Sequence, residues 1–213
     1  MKEHVMQALA DSGIVPVVVL EDAKDAVPTA QALLAGGIGV MEITFRTAAA
    51  EDSIRAVAEN CPEMIVGAGT VITIDQCIAA VSAGAKFIVA PGFRAEVVEW
   101  CVEHNVPITP GCVTPTEIMM AMEHGLQVVK FFPANIYGGL KGMKNLAAPF
   151  GSMKFIPTGG VNTENVAEYA AAPFVFAVGG SWVCPKAEIA AGNFEAITQL
   201  SLAARANYLA GKK

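Results

Sequence analysis

Eight short apolar, β-rich runs recur along this chain, and each is followed by a stretch of helical character. They are Ile14 to Leu20, Val40 to Thr44, Met64 to Ala68, Phe87 to Ala90, Pro107 to Thr109, Val128 to Phe131, Lys154 to Pro157 and Val175 to Val178. Strands that alternate with helices pair in parallel, and a parallel strand buried on both faces reads as a continuous apolar run. Helix starts are signalled by Thr73-Ile74-Asp75-Gln76, by Thr114-Pro115-Thr116-Glu117 with proline at an early helical position, and by Asn162-Thr163-Glu164. Helix ends are signalled by Ala35-Gly36-Gly37, Ala83-Gly84 and His124-Gly125, where glycine can take the left-handed cap. Eight such units in 213 residues, with no polar linker or composition shift, predict an α/β fold: one (β/α)8 TIM barrel over residues 1–213. An open, doubly wound sheet would want a glycine-rich dinucleotide turn after the first strand. Here that strand runs straight into Glu21-Asp22-Ala23.

Composition narrows the partner. A content of 54% hydrophobic and 16% charged residues argues against disorder. A net charge of -6 without a Lys/Arg cluster gives no footprint for nucleic acid or an anionic membrane surface, so the expected partner is a small molecule. Met1-Lys2-Glu3-His4-Val5-Met6 has no signal-peptide core, and no long apolar run follows that could span a bilayer, which places the chain in the cytoplasm. Cys61, Cys77, Cys101, Cys112 and Cys184 are scattered and lack C-x-x-C spacing, so reduced, buried thiols are expected rather than disulfides or a zinc site. His104-Asn105 and His124-Gly125 read as helix C-termini and His4 as part of a mobile tail. No metal-ligand spacing remains, and no metal or cofactor is expected.

Lys130 is the residue that asks for a function. It stands in Gln127-Val128-Val129-Lys130-Phe131-Phe132-Pro133, a run that reads as a strand. Lysine is rarely buried without a partner, and burial disfavours an ammonium relative to the free amine, the form that attacks a ketone. A Schiff-base enzyme is one reading. A lysine snorkelling from an edge strand, or paired with a carboxylate for structural reasons, is the other.

Polar residues gather at the strand C-termini, where a barrel of this kind builds its active site. The second strand closes with Glu42-Ile43-Thr44-Phe45-Arg46-Thr47, and alternation would put Glu42, Thr44 and Arg46 on one side if the strand stays extended that far. The third ends in Gly67-Ala68-Gly69-Thr70, the fourth in Ala90-Pro91-Gly92, and the fifth in Thr109-Pro110-Gly111-Cys112. The seventh and eighth end in Pro157-Thr158-Gly159-Gly160 and Val178-Gly179-Gly180-Ser181, the usual place for a phosphate. Each piece alone could be a tight turn or a surface ion pair, and Glu42 could be only the counter-ion of Lys130.

Taken in order, these segments resemble the bacterial 2-keto-3-deoxy-6-phosphogluconate (KDPG) aldolases, often also active as 4-hydroxy-2-oxoglutarate aldolases. The resemblance runs nearly end to end. It rests on Val40-Met41-Glu42-Ile43-Thr44-Phe45-Arg46-Thr47, Val66-Gly67-Ala68-Gly69-Thr70-Val71, Ala90-Pro91-Gly92, Val129-Lys130-Phe131-Phe132-Pro133-Ala134, Pro157-Thr158-Gly159-Gly160-Val161 and Gly179-Gly180-Ser181-Trp182. It implies a class I aldolase, working without a cofactor, in which Lys130 forms an imine with pyruvate or the substrate ketone and Glu42 moves protons. It further implies that Arg46, Thr70 and the Gly69 backbone hold the pyruvyl carboxylate, and that Pro91 and Phe132 shape the pocket. Thr158, Gly159, Gly160, Gly179, Gly180 and Ser181 would form the phosphate-side loops, and the assembly would be a homotrimer.

Two loops depart from better-known members: Gly111-Cys112-Val113-Thr114, and the bulky Asn135-Ile136-Tyr137-Gly138-Gly139. They leave the choice among the gluconate substrate, its galactonate epimer and the unphosphorylated keto acid open. A sugar-phosphate isomerase or epimerase without a covalent intermediate, and a non-catalytic sugar-phosphate binder, are the other readings.

Overall fold

The computed structural model describes residues 2–212. Its strands are β1 Ile14–Val18, β2 Val40–Thr44, β3 Ile65–Gly69, β4 Ile88–Val89, β5 Ile108–Thr109, β6 Val128–Phe131, β7 Lys154–Pro157 and β8 Val178–Gly180. The helices are α1 Lys2–Ser12, α2 Ala26–Ala35, α3 Ala50–Asn60, α4 Ile74–Ser82, α5 Ala95–Glu103, α6 Pro115–Glu123, α7 Gly139–Ala147, α8 Val166–Ala171, α9 Lys186–Ala190 and α10 Phe194–Gly211. All strand pairs are parallel. The result is a barrel-like α/β fold in which a curled six-stranded sheet, β5-β4-β3-β2-β1-β8, stands beside the pair β6-β7.

The eight strands lie where the apolar runs put them, but the ladder between them is uneven. β5 stops at Thr109 because Pro110 has no N–H to donate, so a lone bridge between Gly111 and Lys130 replaces a β5-β6 ladder. Lys130 N–H donates to Pro110 O and Cys112 N–H to Lys130 O, both at 2.9 Å. The last strand begins later than the apolar run Val175 to Val178 suggests. Val175 makes only an isolated bridge to Phe155, beside Pro173, and regular pairing with β1 covers Val178, Gly179 and Gly180.

Helix boundaries follow side-chain chemistry. Thr73 caps α4 by accepting from Gln76 N–H at 3.2 Å. Thr114 and Glu117 form a reciprocal capping box at α6, with Pro115 in its first turn. The Asn162 cap is displaced: its side chain accepts from Glu164 and Asn165 N–H and orders a turn, and α8 starts only at Val166. Gly37, Gly84 and Gly125 take positive φ just past their helices.

The N-terminal segment corrects an expectation. His4 is exposed but lies in α1, which buries Val5 and Leu9. Leu9 lines the interior between the strands together with Val15 and Phe87, closing the end opposite the strand C-termini. α10 completes the outer layer by packing on both α2 and α8; Thr198 donates to Ala32 O at 3.1 Å and Asn207 to Thr163 O at 3.2 Å.

Candidate active site

Glu42 and Lys130 point into the interior from the middle of β2 and the third position of β6. Each is only 3% exposed, and Lys130 Nζ lies 3.3 Å from Glu42 Oε1. Lys130 Nζ also sits 5.4 Å from the centre of the Phe132 ring. A pocket of about 10 Å³ separates the pair from Leu9, Val15, Phe87 and Ile156 below, leaving no room for a ligand on that side. Any reactant must reach the amine from the strand C-termini.

Gly69, at the end of β3, is required by Glu42. A Cβ built there would stand 2.1 Å from Oε1 and 2.4 Å from Glu42 Cγ, so only glycine lets the carboxylate lie against the backbone. The next residue, Thr70, holds φ +57, a strained conformation for a β-branched residue. Its hydroxyl accepts from Arg46 Nε at 3.1 Å, which ties the guanidinium to the end of β3.

Above the pair opens a cleft of about 350 Å³. Of the residues singled out in the sequence, Arg46, Phe132, Thr158, Gly159, Gly160, Gly180 and Ser181 line it. Thr158 also lines the small pocket around Glu42 and Lys130, so one residue joins the two spaces. Gly159 and Gly160 have φ of +93 and +79, and Asn165 Nδ2 donates to Gly160 O at 2.9 Å, fixing this turn. Asn135 packs against Gly160 and donates its N–H to Gly159 O, which gives part of the unusual β6 loop a structural task. Gly179 lines neither space but makes room for the Thr158 hydroxyl, 2.3 Å from where its Cβ would be. Pro91 also lines neither; its carbonyl packs against Gly111.

One conditional expectation is not met. β2 ends at Thr44, so simple alternation does not carry Arg46 to the mouth; the turn that follows does. Thr44 is buried and its hydroxyl donates to Val18 O at 3.1 Å, tying β2 to β1. Cys112 is likewise buried, its thiol pushed up to about 12 chiefly by desolvation and then by the charge of Glu117. Sequence reading missed Val17, Val19, Val161, Trp182, Cys184 and Lys186 as cleft residues. The run through β1 signalled Val17 and Val19 only as core, and a lone lysine at the start of a short helix carries no signal at all. Among the described residues no cluster of His, Cys, Asp or Glu suits a metal ion, and no helix is long and apolar enough to cross a membrane.

A buried lysine paired with a carboxylate, beneath a glycine-walled cleft with an arginine at its edge, is an arrangement suited to imine chemistry on an anionic keto acid. Residues 5–200 match the family described as KDPG and KHG aldolase. The chain belongs to the KDPG and KHG aldolase family. It is 49% identical to the 2-dehydro-3-deoxy-phosphogluconate aldolase of Treponema pallidum, over 92% of this chain and 94% of that one. It is 42% identical to the KHG/KDPG aldolase of Escherichia coli, over 91% of each. A crystal structure of the KDPG aldolase of Legionella pneumophila superposes with a TM-score of 0.90 at 39% identity, covering 93% of this chain and 96% of that one. That aldolase was captured with pyruvate as a covalent carbinolamine intermediate.

Proposed function

We propose that this chain is a class I aldolase that cleaves 2-keto-3-deoxy-6-phosphogluconate to pyruvate and glyceraldehyde 3-phosphate, and also cleaves 4-hydroxy-2-oxoglutarate to pyruvate and glyoxylate. The observation that carries it is the buried Lys130–Glu42 pair at 3.3 Å below the glycine-walled cleft, in a chain of this family. Lys130 Nζ attacks the substrate ketone to give a carbinolamine, and Glu42 passes the proton that lets water depart. The resulting protonated imine accepts the electron pair as the bond between carbons three and four breaks. The hydroxyl proton on carbon four leaves to Glu42, directly or through water, and the aldehyde separates from an enamine. Protonation of the enamine at carbon three and hydrolysis of the imine release pyruvate and restore the amine.

Arg46, steadied by Thr70, and the Gly69 N–H hold the carboxylate, for which a two-pronged guanidinium is well shaped. Phe132 forms the wall on the pyruvyl side, and Pro91 backs the Gly111 backbone that bridges to Lys130. Thr158, Gly159, Gly160, Gly180 and Ser181 supply backbone and hydroxyl donors to the phosphate, with Gly179 making room for the Thr158 hydroxyl. The reading includes a single, closed (β/α)8 domain, to which the bridges Gly111–Lys130 and Thr158–Gly179 lend support. It also includes a cytoplasmic homotrimer.

Borohydride reduction with pyruvate in the presence of a chelator, followed by peptide mass mapping, tests the chemistry. A reduced pyruvyl adduct on Lys130 is the expected result. Folded protein with no lysine adduct would overturn the aldolase reading.

A further inference from the structure

The cleft is lined by two cationic side chains, Arg46 and Lys186, while KDPG carries two anionic ends. Arg46 Nε donates to Thr70, the residue after the Gly69 that backs Glu42, and the aldolase reading gives Arg46 to the carboxylate end. That leaves one cation for the phosphate. Lys186 opens α9, in the segment that leaves β8 just after Ser181, on the phosphate side of the cleft. Its Nζ lies 2.8 Å from Glu21 Oε1, and the two side chains are 58% and 70% exposed. A pair so exposed holds weakly and exchanges readily, and a phosphate dianion is a stronger competitor than one carboxylate. Because the whole chain carries -6, a dianion gains most from a cation placed at its own binding point.

We propose that Lys186 leaves Glu21 to engage the substrate phosphate, and so sets the preference for phosphorylated over unphosphorylated keto acids. This rests on the aldolase reading above. The readout is the ratio of kcat/KM for KDPG to kcat/KM for 4-hydroxy-2-oxoglutarate. Lys186→Met should lower that ratio about tenfold or more, the scale of one charge-assisted hydrogen bond. Lys186→Arg, which keeps the charge, should hold it within about threefold. Glu21→Gln, which removes the competing carboxylate, should raise it. The same preparations are trapped with borohydride and pyruvate. If the wild-type chain forms the adduct but Lys186→Met leaves the ratio unmoved, whether both substrates suffer equally or neither does, the Lys186 assignment is overturned alone. If the wild-type chain forms no adduct, the aldolase reading falls and takes the assignment with it.

Discussion

Lys130 and Glu42, 3.3 Å apart, are separable by experiment, because the proposed mechanism gives each a different part of the chemistry. Lys130→Arg keeps a positive charge against Glu42 but removes the nucleophile, so turnover and the borohydride adduct should both vanish; substantial residual cleavage would refute the imine route. Glu42→Gln should slow cleavage by roughly 10²–10⁴ while the adduct still forms, measured by steady-state rates beside mass mapping. Gly69→Ala tests the same carboxylate from behind. The added methyl would sit 2.1 Å from Oε1, so it should shift Glu42 and cut kcat about 10²-fold or more, as small misplacements at a reacting group do. Lys130 and Glu42 were legible in the sequence because a charge within an apolar strand is expensive and therefore conspicuous. The dependence of Glu42 on Gly69 was not, since it is a contact between neighbouring strands; nor was Lys186, which looks like any exposed lysine until the fold brings it to the cleft.

Among the secondary elements, those with local chemistry were the readable ones. The Thr114–Glu117 box and the caps at Thr73 and Gly125 follow from a few adjacent residues, and the structure keeps all three. Thr114→Ala should cost about 0.5–2 kcal/mol in urea unfolding, the usual range for losing an N-cap. The late start of β8 and the helical N-terminus were hidden because they depend on tertiary neighbours, whereas β2 covers Val40–Thr44 as its apolar run indicated. α1 shows this well: its sequence is polar on average, and only Val5, Leu9 and Ser12 are buried. Gly13, which joins α1 to β1, has φ +68 and sits under the ring of Tyr208 from α10, so a Cβ there would fall 2.0 Å from the ring. Gly13→Ala should therefore destabilise the fold by about 1–3 kcal/mol through overpacking and backbone strain together, read by urea or thermal unfolding.

At the scale of the whole molecule, one continuous core takes up all five cysteines. Burial pushes the thiols of Cys112 and Cys184 up to about 12 from an ordinary 9.0. Near pH 8 the native chain should thus react slowly with an aromatic disulfide reagent, and denaturant should release five thiols at once. The folded thiols keep their protons in a range where unfolded ones have lost them, so stability should fall as the pH rises from about 9 toward 12, and remain unaffected by these groups below that window. The plug that α1 places under the strands has a consequence for traffic. With Leu9 sealing the far end, the lysine stands at the bottom of a blind alley, and everything that enters must back out past whatever entered after it. The aldehyde half, nearer the mouth, leaves first and the three-carbon acid last, so pyruvate should compete with substrate for the free enzyme while the aldehyde should not.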